Sequence, residues 1–358
     1  KRKQSWGGLP RFLWMRGLRK QLLGIENIMI ISKTPFRISF FGGGTDYPVW
    51  YREHGGQVLS TTIDKYCYIS LRYFPPFFTY KHRIVYSKIE TVNGIDEISH
   101  PAVKAALRFF NVEKGLSIHH DGDLPARTGL GSSSAFTVGL LHALYALEGK
   151  RPSKDTLAKE AIHLERDVLG ENVGSQDQVA VAYGGLNKIV FTPDEKVEVI
   201  PITIREERIK ELERHSMLVF TGFSRDATVI AKDQIDNTPQ KKSELTRMYR
   251  MVDEAIGILG DGKRNILEFG ELLHEAWQLK KNLSDKVSTP QINDMYEKAL
   301  AAGAVGGKVL GAGGGGFMLL FIPPEKRERV SAEFKDLIQV SFRLEQGGSK
   351  IIYSNNDI

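Results

Sequence analysis

The chain has a single cysteine, Cys67, in 358 residues. That excludes an intramolecular disulfide framework and any cysteine-rich metal cluster, and it suits a reducing, cytoplasmic setting. No apolar stretch approaches the roughly 20 residues needed to cross a bilayer, and no secretory-type apolar core is found near the start. A membrane partner is therefore not expected. Zinc-type spacing such as H-E-x-x-H is missing, and His119-His120, adjacent on a strand, would point to opposite faces. G-x-x-x-x-G-K-[S/T] is missing too, which argues against a P-loop nucleotide hydrolase.

Surplus charge is also scarce outside one segment. The net charge is +6, but residues 1–28 hold seven of the 49 basic groups and one of the 43 acidic groups. The remainder balances at 42 of each sign. A nucleic-acid surface needs clustered excess positive charge, so no nucleic-acid partner is expected. We read residues 1–28 as a basic leader outside the working fold, whose signals begin at Met29.

The chain is long enough for two domains, each with its own core. Short β-rich runs at 29–32 and 37–41 are separated by Thr34-Pro35 and closed by Gly42-Gly43-Gly44. The pattern predicts strand, kink and loop. Residues 57–73 read as strand, and 135–147 as a helix apolar nearly all round, hence buried. Residues 154–169 read as an amphipathic helix. Further helices are expected near 243–259, 265–281 and 290–302, with strands at 186–191, 217–221, 317–322 and 350–353. The fold class is α+β, with an N-terminal domain over 29–200 and a C-terminal domain over 201–358.

Two glycine clusters invite a phosphate reading. Gly311–Gly316 satisfies G-x-G-x-x-G, but a strand pattern follows it where a dinucleotide fold requires a helix. Gly129-Leu130-Gly131-Ser132-Ser133-Ser134 is the better candidate. Its glycines permit close backbone approach, and its hydroxyls stand at the N-terminus of a buried helix, where free N–H groups favour an anion. The plainer alternative is that Ser132 only caps that helix.

Glu165 projects inside the apolar arc set by Leu157, Ala161, Leu164 and Val168, where an unpaired carboxylate is costly. It is either salt-bridged or rim-exposed, or else a metal ligand or catalytic acid. Asp177 follows in a Gly- and Ser-containing turn, and alone it reads as a turn aspartate.

Three segments together carry a resemblance. Pro35–Tyr47 (PFRISFFGGGTDY), Pro125–Ala135 (PARTGLGSSSA) and Lys308–Phe317 (KVLGAGGGGF) resemble, in order and separation, the three motifs of the GHMP kinases, the family of galactokinase, homoserine kinase and mevalonate kinase. The resemblance covers essentially Met29 to the C-terminus. It implies a ribosomal-S5-domain-2-like N-terminal domain and a ferredoxin-like C-terminal domain, with ATP bound between them. Pro125, Gly129, Leu130, Gly131, Ser132, Ser133 and Ser134 would then form the phosphate loop, with Gly311, Gly313 and Gly314 closing over it. Ser133 and Glu165 would hold Mg²⁺, although Glu165 lies one residue farther from Asp177 than in mevalonate kinases. Asp177 would be the catalytic aspartate and Arg37 the basic residue that polarises the acceptor hydroxyl.

The first motif departs from galactokinases, which carry Glu-His where this chain has Gly43-Gly44. Two sugar-gripping side chains are lost, so galactose is a poor substrate. The string FFGGGTDYP resembles the D-glycero-D-manno-heptose 7-phosphate kinases of the family, which phosphorylate the anomeric hydroxyl to give heptose 1,7-bisphosphate. Gly43, Gly44, Thr45, Asp46 and Tyr47 would then contact the sugar. Its phosphate needs a cationic clamp, for which Arg225 is preferred over Lys81 and Arg83. A fucokinase-like sugar 1-kinase, or a non-catalytic regulator that binds sugar and ATP, are the alternatives.

Overall fold

The computed structural model describes residues 28–75, 77–223 and 227–355. The leader (save Ile28) and Arg225 therefore lie outside the described residues.

In the first half, β1 (Met29–Phe41) leads to helix α1 (Pro48–His54), then β2 (Gly56–Tyr73), β3 (His82–Val85), β4 (Ile89–Val92), α2 (Pro101–Phe109) and β5 (Leu116–Gly122). Next come α3 (Ser132–Leu147), α4 (Lys154–Ile162), α5 (Gln176–Tyr183), β6 (Asn187–Phe191) and β7 (Val197–Pro201). In the second half, α6 (Glu206–His215) precedes β8 (Ser216–Phe220), α7 (Ala227–Asn237), α8 (Lys242–Gly260), α9 (Leu267–Lys281) and α10 (Pro290–Ala302). They are followed by β9 (Gly306–Val309), β10 (Phe317–Phe321), α11 (Arg327–Glu333), β11 (Gln339–Val340), β12 (Leu344–Glu345) and β13 (Lys350–Ser354).

The larger sheet runs β13-β1-β2-β5-β3-β4, and the smaller runs β11-β8-β10-β9. Strand β2 spans 18 residues. Its first part pairs with β6, its middle with β12 and its end with β5, while β1 follows its other edge. The kink expected at Thr34-Pro35 is a bulge between Pro35 and Phe36 within a continuous β1. A proline in a strand is tolerated at such a bulge, because the missing N–H falls where the ladder is already interrupted.

The α+β reading holds, but the domain boundary needs correction. β12 and β13 fall in the expected C-terminal half, yet they pair with β2 and β1 of the first sheet. The physical reason is that β13 covers the outer edge of β1 and β12 covers the middle of β2, where backbone groups would otherwise be unpaired.

Helix α3 packs on β1 and β2 and against α4 and α5, which explains its apolar residues all round. Each of its fully buried leucines contributes about 1.5–3 kcal/mol. Gly139 lets it come close, since a Cβ there would lie 2.9 Å from Thr34 Oγ1. The segment expected as one helix over 154–169 changes character at His163 and continues through Val168 as a wider π-helical turn. Such turns often occur at functional sites.

In the second half, α9 lies directly on β9. A Cβ on Gly306 would sit 2.0 Å from the carbonyl oxygen of Gly270, and backbone cannot swing aside as a side chain can. Gly306→Ala should therefore cost about 1–3 kcal/mol, measured as a lowered thermal midpoint. An unchanged midpoint would mean that helix and strand are not in this contact.

Candidate active site

The phosphate-loop candidate joins β5 to α3. Gly131 precedes the helix with φ +72°, and no side chain caps the helix there. The Ser132 hydroxyl instead accepts from the Arg127 N–H (3.1 Å). Simple capping by Ser132 is thus not what the structure contains, and the first helical N–H groups are left for another acceptor.

Arg37 reaches this loop from β1. Its own N–H donates to the Leu130 carbonyl at 3.0 Å, and its side chain, 3% exposed, crosses Gly131. Nη1 donates to the Gly129 carbonyl at 2.6 Å. Nε and Nη2 donate to the two carboxylate oxygens of Asp177 at 2.8 and 2.6 Å. This bidentate fork fixes the aspartate's orientation as well as its position. Asp177 was expected in a turn but occupies the first helical turn of α5. Its side chain keeps 26% exposure, so it is held from one side and accessible from the other.

Glu165, in the π-helical turn, is buried, as its place in the apolar arc suggested. Burial is the main cause that pushes its carboxyl up to about 7, against the nearby Thr137 hydroxyl and the hydrogen bonds from Gln178 and Ser134. Ser134 Oγ donates to Oε2 at 2.9 Å, and Gln178 Nε2 donates to the same oxygen. Oε1 has no hydrogen-bond partner among the described residues. The expectation paired Glu165 with Ser133, and here the structure differs. Ser133 is exposed, and it is Ser134, one helical step of about 100° further on, that meets the glutamate. An orphaned carboxylate oxygen beside a hydroxyl is a donor set suited to a hard divalent cation. Among the described residues there is no cluster of three or more His, Cys, Asp or Glu side chains that could hold a metal.

The first-motif residues separate into two kinds. Asp46 is buried, accepts from the Gly44 N–H (2.9 Å), and is raised above its ordinary value by burial, with the Asp177 charge adding to the effect. Its carboxylate packs so closely on Gly174 that a Cβ there would lie 1.8 Å from Oδ2. Gly43 faces Ser39 and Gln176, whose Oγ and Oε1 are buried without partners among the described residues. Unsatisfied polar atoms beside a missing side chain form a recess that hydroxyl groups could fill. Thr45 is different. Its hydroxyl donates to the Gly42 and Gln57 carbonyls and accepts from the Gln57 N–H, so the expected sugar contact is corrected to a structural role. Gly44 packs on Leu245 and Leu283, and Tyr47 is buried at the start of α1. Pro125 is exposed at the rim of the phosphate loop, and its carbonyl accepts from Thr128.

The third glycine loop closes directly on the phosphate loop. A Cβ on Gly311 would lie 2.6 Å from the Gly129 Cα, and the Phe317 N–H donates to the Thr128 carbonyl at 3.0 Å. Gly313 and Gly314 rest on Val287, to whose carbonyl the Gly314 N–H donates at 2.8 Å. Lys81 lines a surface cleft with Phe74, Phe78 and Tyr80, and Arg83 pairs beside Ser117 on β3, so neither joins the Arg37–Asp177 group. The histidines also separate: His119 contacts Ser117 Oγ, and His120 meets Phe136 edge-on.

Ser39, Gln176 and Gln178 were not anticipated, and neither were two buried lysines, Lys280 and Lys308. Lys280 carried a legible signal, because it continues the apolar stripe of Leu273, Ala276 and Trp277 at helical spacing.

A glycine loop at a helix N-terminus and an Arg-held aspartate against it have the make-up of a phosphotransferase site. Comparison with known proteins agrees. Residues 98–185 match the GHMP kinase N-terminal domain, and residues 242–338 match the GHMP kinase C-terminal domain. The chain belongs to the GHMP kinases: it is an ATP-dependent phosphotransferase acting on a hydroxyl group, and within the family a sugar kinase. It is 30% identical over 313 residues to the D-glycero-alpha-D-manno-heptose 7-phosphate kinase of Campylobacter jejuni, covering 83% of this chain and 91% of that one. Similarity to the bifunctional fucokinase/GDP-fucose pyrophosphorylase of Arabidopsis thaliana is 26%, across 80% of this chain and 29% of that larger protein. In fold it matches a D-glycero-D-manno-heptose 1-phosphate kinase from Bacteroides thetaiotaomicron with TM-score 0.75 and 24% identity, over 90% of this chain and 99% of that one. No described helix is long and apolar enough to cross a membrane.

Glu165 gives a pH test. Its folded-state value of about 7 lies above its ordinary 4.5, so the neutral form favours the fold. Stability from this group is present below about pH 4.5 and is lost as pH rises toward 7, by about 3 kcal/mol in total. Glu165→Gln should match the wild type in thermal midpoint at about pH 5 and exceed it at about pH 8. Equal midpoints at both values would show that the carboxyl is not held neutral.

Proposed function

We propose that this kinase transfers the γ-phosphate of ATP to the anomeric hydroxyl of D-glycero-D-manno-heptose 7-phosphate, giving the 1,7-bisphosphate. The observation that carries the reading is the Arg37–Asp177 fork, lodged against the Gly129 carbonyl of the phosphate loop and next to the recess at Gly43. The similarity to the Campylobacter jejuni heptose 7-phosphate kinase supports the choice of sugar.

Phosphoryl transfer depends mainly on positioning and charge neutralisation. Asp177 accepts the anomeric proton or orients that hydroxyl toward the phosphate. Arg37, already fixed by three acceptors, holds the aspartate and stabilises negative charge developing on the acceptor oxygen. The N–H groups of Gly129–Ser134 take phosphate oxygens, with Gly311–Gly316 covering them. Asp46, Ser39 and Gln176 hydrogen-bond the sugar hydroxyls, and the bare backbone at Gly43 leaves their polar atoms uncovered. Glu165, with Ser134, would hold Mg²⁺, which when bound neutralises phosphate charge. Arg225 is proposed to grip the substrate's own phosphate.

ADP release measured across heptose 7-phosphate, fucose, galactose and mevalonate tests the reading. Heptose 7-phosphate should give the highest kcat/KM. Preference for fucose would assign a fucokinase-like activity, and no turnover with any acceptor would leave a sugar- and nucleotide-binding regulator. With the best acceptor, Asp177→Asn should lower turnover by about 10²–10⁴-fold while nucleotide affinity is spared. Near-normal turnover would remove Asp177 from the mechanism.

A further inference from the structure

Lys280 closes α9 with its side chain inside the protein, 6% exposed. Its Nζ donates to the carbonyl of Gly311, with the Val309 carbonyl at 3.5 Å. Behind it, Lys308 on β9 is equally enclosed and donates to the Phe40 carbonyl at 2.9 Å. The charged groups facing Lys280 are Arg37 from β1, Asp46 from the turn after β1, Asp177 from α5, and Lys308 itself.

This group is not charge-balanced. It contains three basic side chains and two carboxylates, and burial drives both Lys308 and Asp46 toward their neutral forms. Arg37, permanently charged, Lys280 and Lys308 outnumber Asp46 and Asp177 by one. Buried surplus charge is costly unless a counter-ion arrives. The site is therefore built to receive an anion.

Arg37 and Lys280 also play matching parts. Arg37 takes the Gly129 carbonyl and Lys280 takes the Gly311 carbonyl, and these two glycines are in direct backbone contact. Both oxygens, which would repel an arriving phosphate, are engaged by cations instead. We propose that Lys280 is a positioning residue for phosphoryl transfer: its ammonium group anchors the Gly311–Gly316 loop against the Gly129–Gly131 loop and supplies positive charge that draws the nucleotide phosphates into the seam. The proposal rests on the kinase reading but not on the identity of the sugar.

Burial lowers Lys280 to about 8, with Arg37 acting in the same direction and Asp46 and Asp177 against it. Its charge is present below that value and lost above it. The test compares wild type, Lys280→Arg and Lys280→Met between about pH 6.5 and about pH 9.5. Binding of adenylyl imidodiphosphate with magnesium is followed by calorimetry, and kcat/KM is followed with the best acceptor. Wild-type affinity should fall about tenfold from the neutral plateau to the alkaline end, and kcat/KM should fall in parallel, since it reports groups of the free enzyme. Lys280→Arg should keep its plateau throughout, because a guanidinium stays protonated. Lys280→Met should bind at least about tenfold more weakly at neutral pH, while its thermal midpoint stays near that of the wild type. An alkaline limb unchanged in Lys280→Arg, or normal binding by Lys280→Met, would overturn the proposal. If Lys280→Met fails to fold, the pH profile of Lys280→Arg decides alone. The calorimetric arm needs no acceptor, so an error in the assigned sugar would not be mistaken for a failure here.

Discussion

Arg37 is the point through which the catalytic half of this molecule is held in register. Its backbone N–H binds one carbonyl of the phosphate loop, one side-chain nitrogen binds a second, and the remaining two nitrogens hold Asp177. A strand, a glycine loop and the first turn of a helix thus share a single planar group. Because guanidinium geometry is rigid, moving any of these three elements breaks a directed bond rather than stretching a diffuse contact. The distance from aspartate to phosphate loop is set by one side chain, and the rest of the site is arranged around that distance.

Glycine does the complementary work by excluding side chains. Gly174 yields its space to the Asp46 carboxylate, Gly311 and Gly129 yield theirs to each other, and Gly131 yields to Arg37. These positions are intolerant for steric reasons that differ from one another. Only at Gly129, Gly131 and Gly311 does positive φ add a backbone reason. The glycine content of the three motifs is better understood as close approach between elements far apart in the chain than as flexibility.

Part of this is legible from residues alone and part only through the family resemblance. Arg37 and Asp177, 140 positions apart, belong to the second kind, since Asp177 alone reads as a turn aspartate, and the structure joins them. Glu165 stood out because a carboxylate inside an apolar arc is anomalous, and it is buried. The errors have local causes. Ser133 and Ser134 differ by one helical step, and no feature of composition says which hydroxyl faces a glutamate 31 residues later. Thr45 looked like a sugar contact because its hydroxyl is free in sequence, yet Gln57, on the returning strand, captures it. The return of β12 and β13 to the first sheet leaves no local trace, since strand pairing across more than 280 residues is a property of topology.

That return has a consequence for how the protein is made. The outer edge of Met29–Phe41 is capped over Ile30–Lys33 by Lys350–Ser354, so more than 300 further residues must be synthesised after β1 before that edge can be paired. Until then a β-rich edge stands open in the nascent chain, the kind of surface that invites pairing with a neighbouring copy. Synthesis of this kinase thus passes through a stage in which the β1 edge, paired in the finished fold, is open.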